Sequence, residues 1–219
     1  VNAIVFGGTG MVGQGVLREC LLDPGVVYVL SIVRTPSGQR DPKLRELAHE
    51  DFLDFSPIES ELTGFDAAFF CLGVTSAGKT EEQYSRVTYD ITMAAAQPLA
   101  RLNPDMTFVF VSGAGTDGTE HGRVMWARVK GKTENALLKL PFKAAYMFRP
   151  GVIQPMHGVK SSTALYRIPY LILRPVMPWL RRRFPQYVTT TEQLGRAMIA
   201  VVKHGAPKRV LENADINKL

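Results

Sequence analysis

Short apolar blocks alternate along the chain with longer stretches of helical period. Residues 2–6, 26–33, 67–71, 107–111 and 144–148 are near-continuous hydrophobic runs, the pattern of parallel strands covered on both faces. A further short run, F-L-D-F at 52–55, reads as the third strand in chain order. Helical spacing fills 12–22, 81–102 and 123–138, with Pro98 predicting a late start or a kink in the second helix. This alternation predicts an α/β fold, a doubly wound parallel Rossmann sheet with helices on both faces. After Arg149 the period is lost. Residues 151–187, rich in proline, arginine and aromatics, read as a small irregular C-terminal cap over the site. A helix then resumes with Thr189, Thr190 or Thr191 as N-cap and Glu192 in its first turn, followed by a short strand near 210–212. The expected organisation is a single domain over 1–219.

Composition narrows the classes. The chain has 219 residues and a net charge of +6, enough for one core without staples. The charge is mild and spread, which gives no nucleic-acid footprint. Cys20 and Cys71 both lie in apolar runs, so buried free thiols and a reducing, cytoplasmic setting are expected. The first strand begins within the first residues, so a signal peptide is not expected. The apolar window 164–180 is broken by Arg167, Arg174 and three prolines, which argues against a transmembrane helix. Peripheral membrane contact is a minor reading of 159–185, where arginines flank Trp179 and Phe184; substrate lid or simple packing is the main one. His49, His121, His157 and His204 are scattered without metal-ligand spacing.

The stretch V-F-G-G-T-G-M-V-G sets Gly7, Gly10 and Gly13 three apart between a strand and a helix. Gly7 suits a sharp turn, Gly10 leaves room for a pyrophosphate, and Gly13 allows close helix packing. Together with Thr9, Met11 and Val12, these residues form the expected dinucleotide-phosphate site, where free helical amides meet the anion. The second strand ends S-I-V-R-T, placing Arg34 where an NAD-selective protein carries an acid. A guanidinium forks onto a 2′-phosphate, so NADP(H) is expected and NAD(H) less so. Arg40 and Lys43 either assist or do nothing. Asp54 has two readings, an acceptor for the adenine amino group or the cap of a turn.

Several short matches in order resemble the short-chain dehydrogenase/reductase superfamily, in its atypical G-x-x-G-x-x-G branch. The nearest resemblance is to the Tat-interactive-protein-like oxidoreductases and their bacterial relatives. The matching pieces are G-G-T-G-M-V-G, C-L-G-V-T from Cys71, V-S-G-A-G from Val111, V-K-G from Val129, F-R-P-G-V from Phe148 and L-E-N-A-D-I near the end. The resemblance implies a Ser, a Tyr and a Lys as the chemical set. It assigns Ser112 and Lys130 to the Ser and the Lys, and Cys71, Leu72, Gly73, Lys130, Pro150 and Gly151 to the cofactor's nicotinamide side. The position four before Lys130, where the pattern has Tyr, is Trp126. An indole N–H only donates a hydrogen bond, and general acid–base catalysis is worth roughly 10²- to 10⁴-fold. His121 and Tyr84 are the other titratable candidates for the missing phenol, each with a bland reading as surface His and half-buried Tyr. Two functions follow: an NADP(H)-dependent oxidoreductase on an unknown small carbonyl or alcohol, or a non-catalytic NADP(H)-binding regulator.

Overall fold

The computed structural model describes residues 1–159 and 183–219. Seven strands form one parallel sheet in the order β3-β2-β1-β4-β5-β6-β9. They are β1 (Asn2–Phe6), β2 (Tyr28–Val33), β3 (Leu44–Ala48), β4 (Ala67–Phe70), β5 (Thr107–Val111), β6 (Ala144–Arg149) and β9 (Val210–Glu212). The order reverses between β1 and β4. That is the topological switch point at which α/β sheets bind ligands beyond the carboxyl ends of their strands.

Both faces of the sheet are buried, which is why the strands read as unbroken apolar runs. In β1, Ala3 and Val5 enter one core while Ile4 and Phe6 enter the other. The first core lies under α1 (Met11–Leu22) and α5 (Thr191–His204). The second lies under α3 (Ile91–Leu102) and α4 (Met125–Leu137). It carries a run of rings, with Phe70 centred 5.2 Å from Phe6 and 6.0 Å from Phe108.

The third strand is Leu44–Ala48, not 52–55. This edge strand carries Arg45 and Glu46 and is only partly covered, so it lacks the continuous apolar signal of the central strands. Phe52 and Phe55 turn inward instead, where Phe55 lies 5.0 Å from His49 and 5.8 Å from Phe6, ring centre to centre. The long helix after β4 is α2 (Glu81–Ser85), opened by a Thr80–Gln83 capping box and joined to α3 through a π turn at Arg86–Asp90. Its departure from α geometry falls there, and Pro98 sits within α3. Thr190 caps α5, its hydroxyl accepting from the Gln193 amide at 2.9 Å.

The expected irregular cap begins with regular structure. β7 (Val152–Gln154) pairs in parallel with β8 (Val188–Thr190) as a separate two-stranded sheet. Most of the basic, apolar segment 159–185 lies outside the described residues. A short helix, α6 (Asn213–Ile216), follows β9. Among the described residues, no helix is long and apolar enough to cross a membrane.

The turn between β1 and α1 is set by two backbone requirements. Gly7 sits at φ +79°, and a Cβ there would lie 3.0 Å from the Cys71 and Leu72 main chain. At Gly13 a Cβ would come within 1.9 Å of the Gly7 carbonyl oxygen. Gly13→Ala should therefore push α1 off the turn, an overpacking cost of ~1–3 kcal/mol. Urea denaturation should show this loss, and an unchanged midpoint would show that the contact is slack.

Candidate functional site

The Gly-rich turn is open at the surface. Thr9 is exposed, and Gly10, Met11 and Val12 are half-buried. The Gly10 amide donates to the Gly7 carbonyl at 2.9 Å, and helical bonding begins with the Gln14 amide on the Gly10 carbonyl at 2.8 Å. The amides of Met11, Val12 and Gly13 come before that first helical bond and point out of the helix end. No side chain caps α1 and no acidic residue lies in its first turn. Among the described residues, the positive end of the helix thus carries no carboxylate in its own first turn. Beneath the turn, the Ser31 hydroxyl is buried without a hydrogen-bond partner among the described residues, and a Cβ at Gly8 would lie 2.6 Å from it. A backbone cradle of this shape fits a diphosphate.

The neighbouring strand ends come to the same edge. Cys71 extends β4, its amide donating to the Phe6 carbonyl at 3.0 Å, so Cys71 and Leu72 abut Gly7. Gly73 is exposed with open space around it. Burial pushes the Cys71 thiol up, which leaves it a packing group rather than a nucleophile. Arg34 follows the last residue of β2, exposed and without an ion-pair partner among the described residues. Lys43 is spent elsewhere: its ammonium donates to the Leu21 and Asp23 carbonyls at 3.0 and 2.8 Å, at the C-terminal end of α1. Asp54 lies in a turn, not on a strand. Its carboxylate accepts from the Ser56 amide at 2.9 Å, and those Ser56 hydrogen bonds hold it below the usual carboxylate range. Of its two readings, the geometry matches the turn cap.

Ser112 and Lys130 meet, in an unexpected way. The Lys130 ammonium donates to the Ser112 backbone carbonyl, not to its hydroxyl. The Ser112 hydroxyl is buried and directed to Glu134 Oε1 at 2.5 Å, with the Phe148 carbonyl 3.1 Å away. Glu134 is 1% exposed and bound by Arg149, Nη2 to Oε2 at 2.6 Å and Nε to Oε1 at 3.0 Å. Arg149 also reaches Glu212 at 3.0 Å. Ser112 is therefore part of a buried ionic cluster joining β5, α4 and β6. The next residue is Gly113, where a Cβ would lie 3.8 Å from Lys130 Nζ. The space beside the lysine is thus lined by a glycine. Glu134 and Arg149 were not singled out in the sequence. Their signals were a carboxylate one helical turn beyond Lys130 and an arginine at the end of a buried strand.

Trp126 packs its ring over the loop, with a Cβ at Gly115 placed 3.6 Å from Cη2. Tyr84 is 2% exposed and His121 is exposed. Pro150 and Gly151 are tied to the same loop cluster. The Ala114 amide donates to the Pro150 carbonyl and the Gly151 amide to Asn213 Oδ1, both at 2.9 Å.

No family model matches the chain. Two fungal proteins match it along its whole length. Protein FMP52, mitochondrial, of Eremothecium gossypii is 31% identical over 226 residues, covering 100% of this chain and 97% of that protein. Protein fmp52-2, mitochondrial, of Aspergillus oryzae is 28% identical over 227 residues, covering 100% of this chain and 96% of that protein. The expected cytoplasmic setting is overturned by these relatives, which are named as mitochondrial proteins. Among solved structures, MoeE5, determined with UDP-glucose and NAD, superposes with a TM-score of 0.68 at 16% identity, over 96% of this chain and 75% of that one. A short-chain dehydrogenase/reductase-family oxidoreductase from Burkholderia thailandensis superposes with a TM-score of 0.67 at 13% identity, over 98% and 92%. The chain thus shares the parallel Rossmann-like α/β fold of these solved structures.

Burial holds the Lys130 ammonium down at about 8, against the raising pull of Glu134. Between that value and the ordinary lysine value of 10.5, the unfolded chain keeps a proton that the folded chain releases. Stability should therefore rise with pH across that interval, and lie lower below it. Lys130→Met should remove this slope, read as urea midpoints from pH 7 to pH 10.5, while lowering stability by a pH-independent amount for the Ser112 carbonyl that loses its donor. A variant that keeps the parent's slope would place its source at another group.

Proposed function

The chain belongs to the FMP52 family, and on that premise we propose that it is an NADP(H)-binding protein of the short-chain dehydrogenase/reductase type, working at mitochondria. The observation that carries this reading is the amide cradle at Met11, Val12 and Gly13, with no side-chain cap and no carboxylate in the first turn of α1. The complexes of structural relatives with NAD support a nicotinamide dinucleotide at that edge. The 2′-phosphate preference rests on Arg34, an exposed guanidinium in the place where an acid would bind the ribose hydroxyls. We place the chain in the atypical branch with the Tat-interactive-protein-like oxidoreductases. The in-order motifs along the chain support that placement.

Bound nicotinamide supplies hydride exchange. The chain's own groups supply little of the rest. Trp126 offers an indole N–H and no exchangeable acid near neutral pH. The Ser112 hydroxyl is directed to Glu134 and the Phe148 carbonyl, so it is not free to hold a substrate oxygen. The geometry therefore favours binding over turnover, with NADP(H) occupancy as the signal that a partner reads. A second reading has its own observation. Lys130, brought to about 8, is a proton donor poised near physiological pH, and with it the site would act as an oxidoreductase on a small carbonyl or alcohol.

Thermal shift with NADPH and NADH tests the binding. A ligand at about 100 times its dissociation constant stabilises by ~2.7 kcal/mol, and NADPH should give the larger shift. No shift with either dinucleotide would end the proposal. Trp126→Tyr separates the two functions when NADPH absorbance is followed against a panel of aliphatic and aromatic carbonyls. The binding reading expects a silent parent, and turnover that appears only in the variant would mark the indole as what silences the site. Turnover in the parent that Lys130→Met abolishes would establish the oxidoreductase instead.

A further inference from the structure

The loop between β2 and β3 begins with Arg34 and runs to Arg40, both exposed. Among the described residues neither arginine has an ion-pair partner. Among the described residues, two hydrogen bonds tie the 34–40 part of the loop to β3, and one carboxylate accepts both. Glu46 Oε1 accepts from the Ser37 amide and Oε2 from the Gly38 amide, each at 3.0 Å. The loop is further tightened by the Gln39 amide on the Ser37 hydroxyl at 3.1 Å and by Gly38 at φ +77°. Glu46 lies in register with Ser31 across the β2–β3 pair, so both side chains share the α1 face of the sheet beside the Gly-rich turn. Ser31 is the same residue whose buried hydroxyl lies under Gly8.

We propose that Glu46 is a positioning residue for dinucleotide selection: by holding the Ser37 and Gly38 amides, it folds the 34–40 loop against β3 and fixes the course of the chain that carries Arg34 and Arg40. This rests on the NADP(H) reading above and adds the device that makes Arg34 effective. A carboxylate that takes one amide on each oxygen is among the stronger uncompensated ties available to an exposed loop. Such a tie orders the loop before any ligand arrives, so the cost of ordering it is not charged to binding. Without it, Arg34 and Arg40 would sample many arrangements and meet a ribose phosphate less often. The opposing effect is direct: Glu46 is itself negative and would repel a phosphate placed nearby. The two effects have opposite signs, so an experiment can choose between them.

The affinities of NADPH and NADH are measured by titration calorimetry on the parent, Arg34→Ala, Glu46→Ala and Glu46→Gln. Glu46→Ala should weaken NADPH by roughly tenfold and leave NADH unchanged. Glu46→Gln, which keeps one acceptor oxygen and the side-chain volume, should recover part of the loss. Unchanged or tighter NADPH binding in Glu46→Ala would overturn the proposal, because repulsion and not loop ordering would then dominate. Equal weakening of both dinucleotides would overturn it too, showing a general structural role. A parent that favours NADPH through Arg34, with that preference untouched by Glu46→Ala, sinks this inference alone. A parent with no preference, in which Arg34→Ala changes neither affinity, sinks the NADP(H) reading along with it.

Discussion

The first helix is held at backbone distance from the turn before it and from α5, and the candidate site depends on that contact. Gly13 brings α1 onto the Gly7 carbonyl, so closely that no Cβ fits between them. Two residues on, Gly15 faces Thr191 of α5, and Gly195 of α5 in turn faces Gly15 and Glu19. Helices of ordinary side chains pack with axes about 8–10 Å apart, and glycine at the contact permits closer approach. The result is a helix whose open amide end is fixed at the switch point of the sheet, with α5 bracing it from outside. Arg196 of α5 adds an ionic tie to buried Glu19 at 3.1 Å.

A second constraint sits across the site. Glu134, almost fully buried, is satisfied by Arg149 and the Ser112 hydroxyl. Burying a carboxylate costs several kcal/mol unless its oxygens are paired, so these partners cannot be drawn off to a substrate without cost. The same cluster anchors α4, which carries Trp126 and Lys130. Structural need thus holds the hydroxyl that the family resemblance assigned to chemistry, and the phenol position is an indole. At one edge of the domain the first turn of α1 carries no carboxylate, while across from it the Ser112 hydroxyl is committed to Glu134. The proposed binding role accords with both halves, and Lys130 is the residue on which the alternative turns.

Most of the fold was legible in the chain. Strands buried on both faces announce themselves by composition alone, which is why β1, β2, β4, β5 and β6 stand close to where the pattern put them. The edge strand β3 escaped because an edge covered on one side carries charge, and its Arg45 and Glu46 resemble a loop. The pairing of β7 with β8 escaped for another reason. Three-residue strands more than 30 positions apart in sequence leave no local period, and only their meeting in space defines them.

The sequence by itself determined the Gly-rich turn, the parallel α/β plan, the indole in place of a phenol and the arginine at the end of β2. These depend on residue type and local spacing, which the chain carries in order. Tertiary structure alone decided that Asp54 caps a turn, that Lys43 serves the end of α1, that Ser112 points at Glu134 and that Glu46 holds the loop beside Arg34. Each of those outcomes is a choice of hydrogen-bond partner between segments distant in the chain or folded back on it. A polar side chain has several possible partners, and only the packed sheet and helices bring one of them within reach.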